Sequence, residues 1–171
     1  MMPKTMHTMA RAYQDICAGE DPWTALGNFA NAWYDYARDA RTALVSEPLG
    51  EPGRDTEHTR HWAAFCAASV EFLCDRYGVP CPAWVHEPYY TLSTAWYGDI
   101  IVNFADNVVL ERRRKTTPAP FARRNVFCGD RLYQNKYELH EWLQEAHSKG
   151  MSDPRDIWRY ARQKEISLHG A

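Results

Sequence analysis

The chain has 171 residues, of which 45% are hydrophobic and 13% aromatic, with seven tryptophans and a formal net charge of −2. That length is the usual size of one domain and is enough to bury a core, and indole rings supply much buried area per residue. No run approaches the roughly eighteen apolar residues of a membrane span, and the N-terminus lacks a charged-then-apolar signal pattern, so a cytoplasmic protein with no membrane partner is expected.

Met1 to His7 reads as a loose tail. Thr8 is placed as an N-cap before Met9–Ala18, where Met9, Ala12, Tyr13, Ile16 and Cys17 share a helical face. Gly19 stops that helix, and Asp21-Pro22-Trp23 starts another, with Asp as N-cap and Pro in the first turn, where its missing N–H costs nothing. The spacing of Trp23, Leu26, Phe29, Ala30, Trp33, Tyr36, Ala37 and Leu44 predicts one helix from Pro22 to about Val45. Asp35 and Asp39, four apart with no third ligand nearby, read as a solvated face paired with Arg38 and Arg41.

Pro48 to Gly53 is a breaker-rich loop. Asp55 or Thr56 then caps a helix over Glu57–Tyr77, closed by Gly78 and Pro80, with Trp62, Phe65, Cys66, Ser69, Phe72, Leu73 and Arg76 as its core face. His58 and His61, three apart, have the spacing of two zinc ligands, but no third ligand is nominated and exposed histidines are expected there. Pro80, Pro82 and Pro88 prevent a continuous helix through the next stretch. Its aromatics, Trp84, Tyr89, Tyr90, Trp96 and Tyr97, are too many for a solvated loop, which predicts short turns packed over the core.

Asp99 to Arg114 resumes a helical pattern that Asn103, Asp106 and Asn107 interrupt. Asn135–Lys149 and a final helix capped by Ser152-Asp153-Pro154 follow, the last carrying Ile157, Trp158, Tyr160, Ala161 and Ile166. Alternating strand patterns are nearly absent, and Val126 to Cys128 is too short to count as one. The expected fold is all-α: one domain over 1–171 of six or seven helices with an irregular Pro- and aromatic-rich segment, the helices of 137–171 extending the core.

Charge is distributed unevenly. Between Arg112 and Lys136 eight Lys or Arg stand against one acid, Asp130, so that segment carries +7 and the rest of the chain −9. Guanidinium forks suit phosphate and carboxylate, and Phe121, Phe127 and Tyr133 interleave them as stacking residues do in single-strand binders. Arg113, Arg114, Arg123, Arg124, Asn125 and Tyr133 are therefore the candidate binding residues. The competing reading makes Arg123 or Arg124 internal, bonding carbonyls and Asp130, and makes Arg112–Lys115 a helix end with favourable dipole placement.

No P-loop, GxGxxG, GxSxG, HExxH or EF-hand loop is present. Cys128 with Asp130 and an unassigned His imitates a thiol nucleophile without a visible base. Five cysteines, an odd count without a CxxC pair, argue against a disulfide framework or a thiolate zinc knuckle. No catalytic residue, metal or cofactor is expected.

Three blocks, DPWTALGNFANAWYDY, RHWAAFCAASVEFLCDRYGVPCPAWVHEP and PAPFARRNVFCGDRLYQNK, together resemble an uncharacterised bacterial family of conserved hypothetical proteins. The resemblance covers most of Asp21 to Lys136, and Tyr137 to Ala171 extends beyond it. Members look like companions of toxin–antitoxin-type nucleotidyltransferases, which implies an antitoxin or regulatory partner role and carries over no catalytic residue. The expectation is a non-catalytic interaction protein with a protein partner; a nucleic-acid binder using 112–136 is the alternative.

Overall fold

The computed structural model describes residues 6–98, 105–133 and 135–169. The chain divides into two compact units, Met1–Leu132 and Tyr133–Ala171. Helices dominate both, and among the described residues the only β-pairing is an isolated parallel bridge between Trp96 and Val126. The fold is all-α.

In the first unit, α1 (Met9–Cys17) is capped by Thr8, whose hydroxyl accepts from the Arg11 N–H at 3.1 Å. It buries Met9, Ala12, Tyr13 and Ile16. Next, α2 (Pro22–Asn31) starts where Asp21 accepts from the Thr24 N–H at 2.9 Å. The predicted single helix to Val45 is not what forms. The backbone widens into a π turn over Ala32–Tyr36, tightens into a 3₁₀ turn over Arg38–Ala40, and recovers as α3 (Arg41–Val45). Arg41 supplies the physical reason. Its Nε donates to the Trp33 carbonyl at 3.0 Å, a group a regular helix would engage itself, and its guanidinium lies 4.4 Å from the Tyr77 ring centre. Trp33 is buried against Phe29 and Tyr77, whereas Trp23 and Tyr36, part of the predicted apolar stripe, are exposed.

The centre of this unit is α4 (Glu57–Tyr77), with the expected bounds. Thr56 and Thr59 form a reciprocal capping box, and Gly78 ends the helix at φ 66°, a left-handed position that glycine adopts without strain. Every residue from Trp62 to Val70 is buried, so α4 is enclosed on all sides rather than along one stripe. It packs against α1 and against two 3₁₀ turns, Ala83–His86 and Pro88–Tyr90. These are the expected short turns over the core: Trp84, Val85 and Tyr90 are buried, and the Trp84 indole donates to the Val45 carbonyl at 2.9 Å.

Beyond the Pro-rich turns, α5 (Asn107–Thr116) is capped by Asp106, which accepts from the Val108 N–H at 2.9 Å. The earlier part of the predicted Asp99–Arg114 helix falls largely on 99–104, outside the described residues. A short helix, α6 (Ala119–Ala122), follows Pro118 and buries Phe121 against Phe65 and Phe72 of α4.

The second unit is an α-hairpin of α7 (Lys136–Ser148) and α8 (Pro154–His169). Asn135 caps α7 by accepting from the Tyr137 and Glu138 N–H groups, and Gly150, at φ 87°, turns the chain. Trp142, Ala146, Ile157 and Ala161 form its core, while Trp158 and Ile166 are exposed.

Replacing Arg41 with Ala should orphan the Trp33 carbonyl and open the ring cluster, at about 1–3 kcal/mol. Urea unfolding of Arg41→Ala beside Asp39→Ala, an exposed neighbour expected to change little, measures it.

Candidate functional site

The six candidate residues separate into different environments. Arg124 is 3% exposed. Its Nη1 donates to Glu71 Oε2 at 2.5 Å and to the Pro120 carbonyl at 2.7 Å, and its Nη2 donates to the Val85 carbonyl at 2.8 Å. Arg123 donates to the other Glu71 oxygen at 2.7 Å, but 55% of its side-chain surface faces solvent. The competing, internal reading describes Arg124, with Glu71 of α4 as the acid. Glu71 is the residue that periodicity misses, although a lone acid inside the run AAFCAASVEFLC signals a buried charge needing a partner.

Asn125 continues this scaffold at φ 62°, a left-handed value that Asn tolerates. Its side-chain amide donates to the Leu92 carbonyl at 2.7 Å, and its carbonyl accepts from the Trp96 N–H at 2.8 Å. Tyr133, at φ 53°, begins the second unit.

The remaining arginines lie on α5. Arg112, Arg114 and Lys115 are exposed, and Arg114 sits over the Phe127 and Tyr97 rings at 4.8 and 5.6 Å. Arg113 is half-buried, and its Nη1 donates to the Cys128 carbonyl at 3.1 Å. The Cys128–Asp130 turn lies close against α5 at this point. The Gly129 N–H donates to the Thr117 hydroxyl at 2.8 Å, and a Cβ on Gly129, at φ 80°, would meet the Arg113 Cδ at 3.5 Å.

Arg113 also lines the most distinctive concavity of this unit. A cleft of about 680 Å³ is walled by Trp23, Trp62, Phe65 and Trp96, edged by Glu57, His58 and His61, and closed by Arg113, Cys128 and Arg131. That size lies within the range of about 300–1,000 Å³ typical of small-molecule sites. The rings brace one another: Trp62 meets Trp23, Phe65 and Trp96 with centroids 5.5, 5.2 and 5.3 Å away, and His61 stacks on Trp96 at 4.5 Å. Trp23, 57% exposed, and the half-buried Trp96 keep indole surface open. Two further hollows share its walls. One of about 290 Å³ adds Arg112, Thr116 and Asp130 beside Arg113, Cys128 and Arg131. The other, of about 560 Å³, shares Glu57 and His61 and is rich in hydroxyls.

Two titrations matter here. Burial lowers the His61 pKa, with Glu57, whose Oε1 lies 3.6 Å from His61 Nε2, opposing the shift and His58 adding to it. The ring is thus neutral at neutral pH. Burial pushes the Cys128 thiol up to about 12, against the opposing pull of its own backbone N–H and of Arg113. A protonated thiol is a poor nucleophile, so sharing a cleft with His58 and His61 does not activate it. Among the described residues, no three His, Cys, Asp or Glu come together as a metal site. No family model, curated protein or solved structure matches the chain.

Two predictions separate scaffold from cleft. Arg124→Ala removes the buried partner of Glu71 together with the donor to the Pro120 and Val85 carbonyls and should cost about 3–5 kcal/mol, whereas Arg123→Ala removes a guanidinium that is largely exposed and leaves Arg124 on the carboxylate, and should cost about 1 kcal/mol or less; thermal melts compare them. For His61 the folded pKa lies below the unfolded value of about 6.5. The unfolded chain takes up the proton first as pH falls, so the stabilisation is complete above about 6.5 and is lost below it. The fall in melting temperature between about pH 7.5 and 5.5 should be smaller in His61→Gln; an equal or steeper fall would show that burial of the imidazole contributes nothing.

Proposed function

We propose that this chain is a non-catalytic binding protein whose ligand is a single-stranded nucleic acid, with a base against the tryptophan wall and phosphates on the arginines beside it. The observation that carries the reading is the union of open indole surface with Arg113 and Arg131 in one cleft, beside a hollow that adds Arg112. Every base has a π-face that an aromatic ring can stack on, and guanidinium groups bind phosphate through paired N–H donors. Arg114 and Lys115, exposed on the last turn of α5, extend the cationic surface. Arg123 and Arg124 are left out, because Glu71 pairs with both.

The non-catalytic part of the reading rests on the protonated Cys128 thiol and on the absence of any nucleophile or metal motif in the sequence. No described helix is long and apolar enough to cross a membrane. The five free thiols fit a reducing compartment, which supports a cytoplasmic location.

A protein partner is the second reading, and a separate observation favours it: Trp158, Ile166 and Leu168 are exposed on α8. The resemblance to toxin–antitoxin companions would make that partner toxin-like. In that case Trp158→Ala should abolish a stoichiometric complex isolated from source cells without lowering the melting temperature.

The nucleic-acid reading is tested by fluorescence anisotropy with a labelled single-stranded oligomer across a salt series. Single-strand binding loses about 0.7 logarithmic units of affinity per phosphate contact per decade of salt. The combined variant Arg112→Ala, Arg114→Ala, Lys115→Ala should therefore flatten the slope by about 2. Trp23→Ala should weaken binding by about 1–3 kcal/mol with the slope unchanged. An affinity that ignores salt would remove the phosphates from the proposal.

A further inference from the structure

We propose that the site takes RNA in preference to DNA, with Glu57 as the residue that reads the ribose 2′-hydroxyl. This rests on the reading of the cleft as a single-strand site. A base on the tryptophan wall and a phosphate at the arginines leave the sugar at the cleft's rim, and Glu57 lies on the wall shared with the hydroxyl-rich hollow. That hollow is lined by Thr91, Ser93 and Thr94, whose hydroxyls both donate and accept, together with Glu57. The cation on its lining, Arg60, is engaged by Asp55. A carboxylate among hydroxyls suits a neutral, multiply hydroxylated group.

Of the two carboxylates there, Asp55 is occupied: Arg60 Nε and Nη2 donate to its two oxygens at 2.7 and 2.6 Å. Glu57 is exposed, and its charged neighbour within reach would be His61, 3.6 Å away. Burial keeps that imidazole neutral at neutral pH, so the Glu57 carboxylate retains acceptor capacity for a hydroxyl donor. Glu57 also sits on the first turn of α4, held by the Thr56–Thr59 capping box, which fixes the backbone that carries it. A carboxylate accepting from a ribose hydroxyl is an established recognition chemistry, and the 2′-hydroxyl is the group that distinguishes RNA from DNA. A DNA strand would bring a C–H in place of that donor and leave the desolvated carboxylate uncompensated.

The test uses the full chain and two labelled oligomers of identical sequence, one RNA and one DNA with uracil in place of thymine. Wild type is expected to bind RNA about tenfold more tightly, the equivalent of about 1.4 kcal/mol. Glu57→Ala should bring RNA affinity down to that of DNA while leaving DNA binding unchanged or slightly improved, since a like charge is removed from near the phosphates. Glu57→Gln, which keeps an acceptor oxygen, should retain part of the preference. Melting curves check that both variants keep the fold, as expected for an exposed side chain. Equal wild-type affinities for the two strands, or a parallel loss of both in Glu57→Ala, overturn the assignment of Glu57 and leave nucleic-acid binding standing. Failure of both oligomers to bind overturns the nucleic-acid reading itself.

Discussion

The buried contact between Glu71 and Arg124 constrains everything around it. A carboxylate in the middle of an enclosed helix is costly to desolvate unless a cation and further hydrogen bonds compensate it. Arg124 does so with one planar group that also engages the Pro120 and Val85 carbonyls, so a single guanidinium ties together α4, α6 and the 3₁₀ turn Ala83–His86. The effect reaches the cleft through the backbone. With Arg124 held, its carbonyl receives the Leu92 N–H, Asn125 turns left-handed and receives the Trp96 N–H, and Phe127 donates back to Trp96. Trp96 is thereby placed within 5.3 Å of Trp62 as one wall of the site. A buried ion pair thus positions an aromatic wall of the candidate site.

The basic segment, which reads as one surface by composition, is physically three. Arg123 and Arg124 face Glu71, Arg113 and Arg131 border the aromatic cleft, and Arg112, Arg114 and Lys115 are exposed on α5. The charge asymmetry of the sequence therefore counts a scaffold pair, Arg123 and Arg124, together with the surface cations. Two of the segment's arginines, Arg113 and Arg131, do line the cleft.

Local chemistry made much of the fold legible. Thr56 and Gly78 bound α4 because a cap hydroxyl and a left-handed glycine act through immediate neighbours; Asp21-Pro22 and Asn135 work the same way. The break at Ala32–Ala40 was not legible, since its cause is Arg41 meeting Trp33 and Tyr77, a contact that periodicity over Pro22–Val45 cannot contain. The site was partly legible. The sequence marks Arg113 and Arg114 and leaves both roles of Arg124 open, but Glu71 lies 53 residues away. Spacing puts Trp23 on a core stripe because it reports a shared face and not whether that face is covered.

The seven indole N–H resonances give the most direct test of where the working surface lies. In a titration with an unlabelled RNA oligomer followed by two-dimensional 15N–1H NMR, the signals of Trp23, Trp62 and Trp96 should move together and saturate. Those of Trp33 and Trp84, buried in the first unit and not on the cleft lining, should hold still. Shifts confined to Trp158, or no change at the three cleft indoles on saturation, would contradict the placement of the ligand in the cleft.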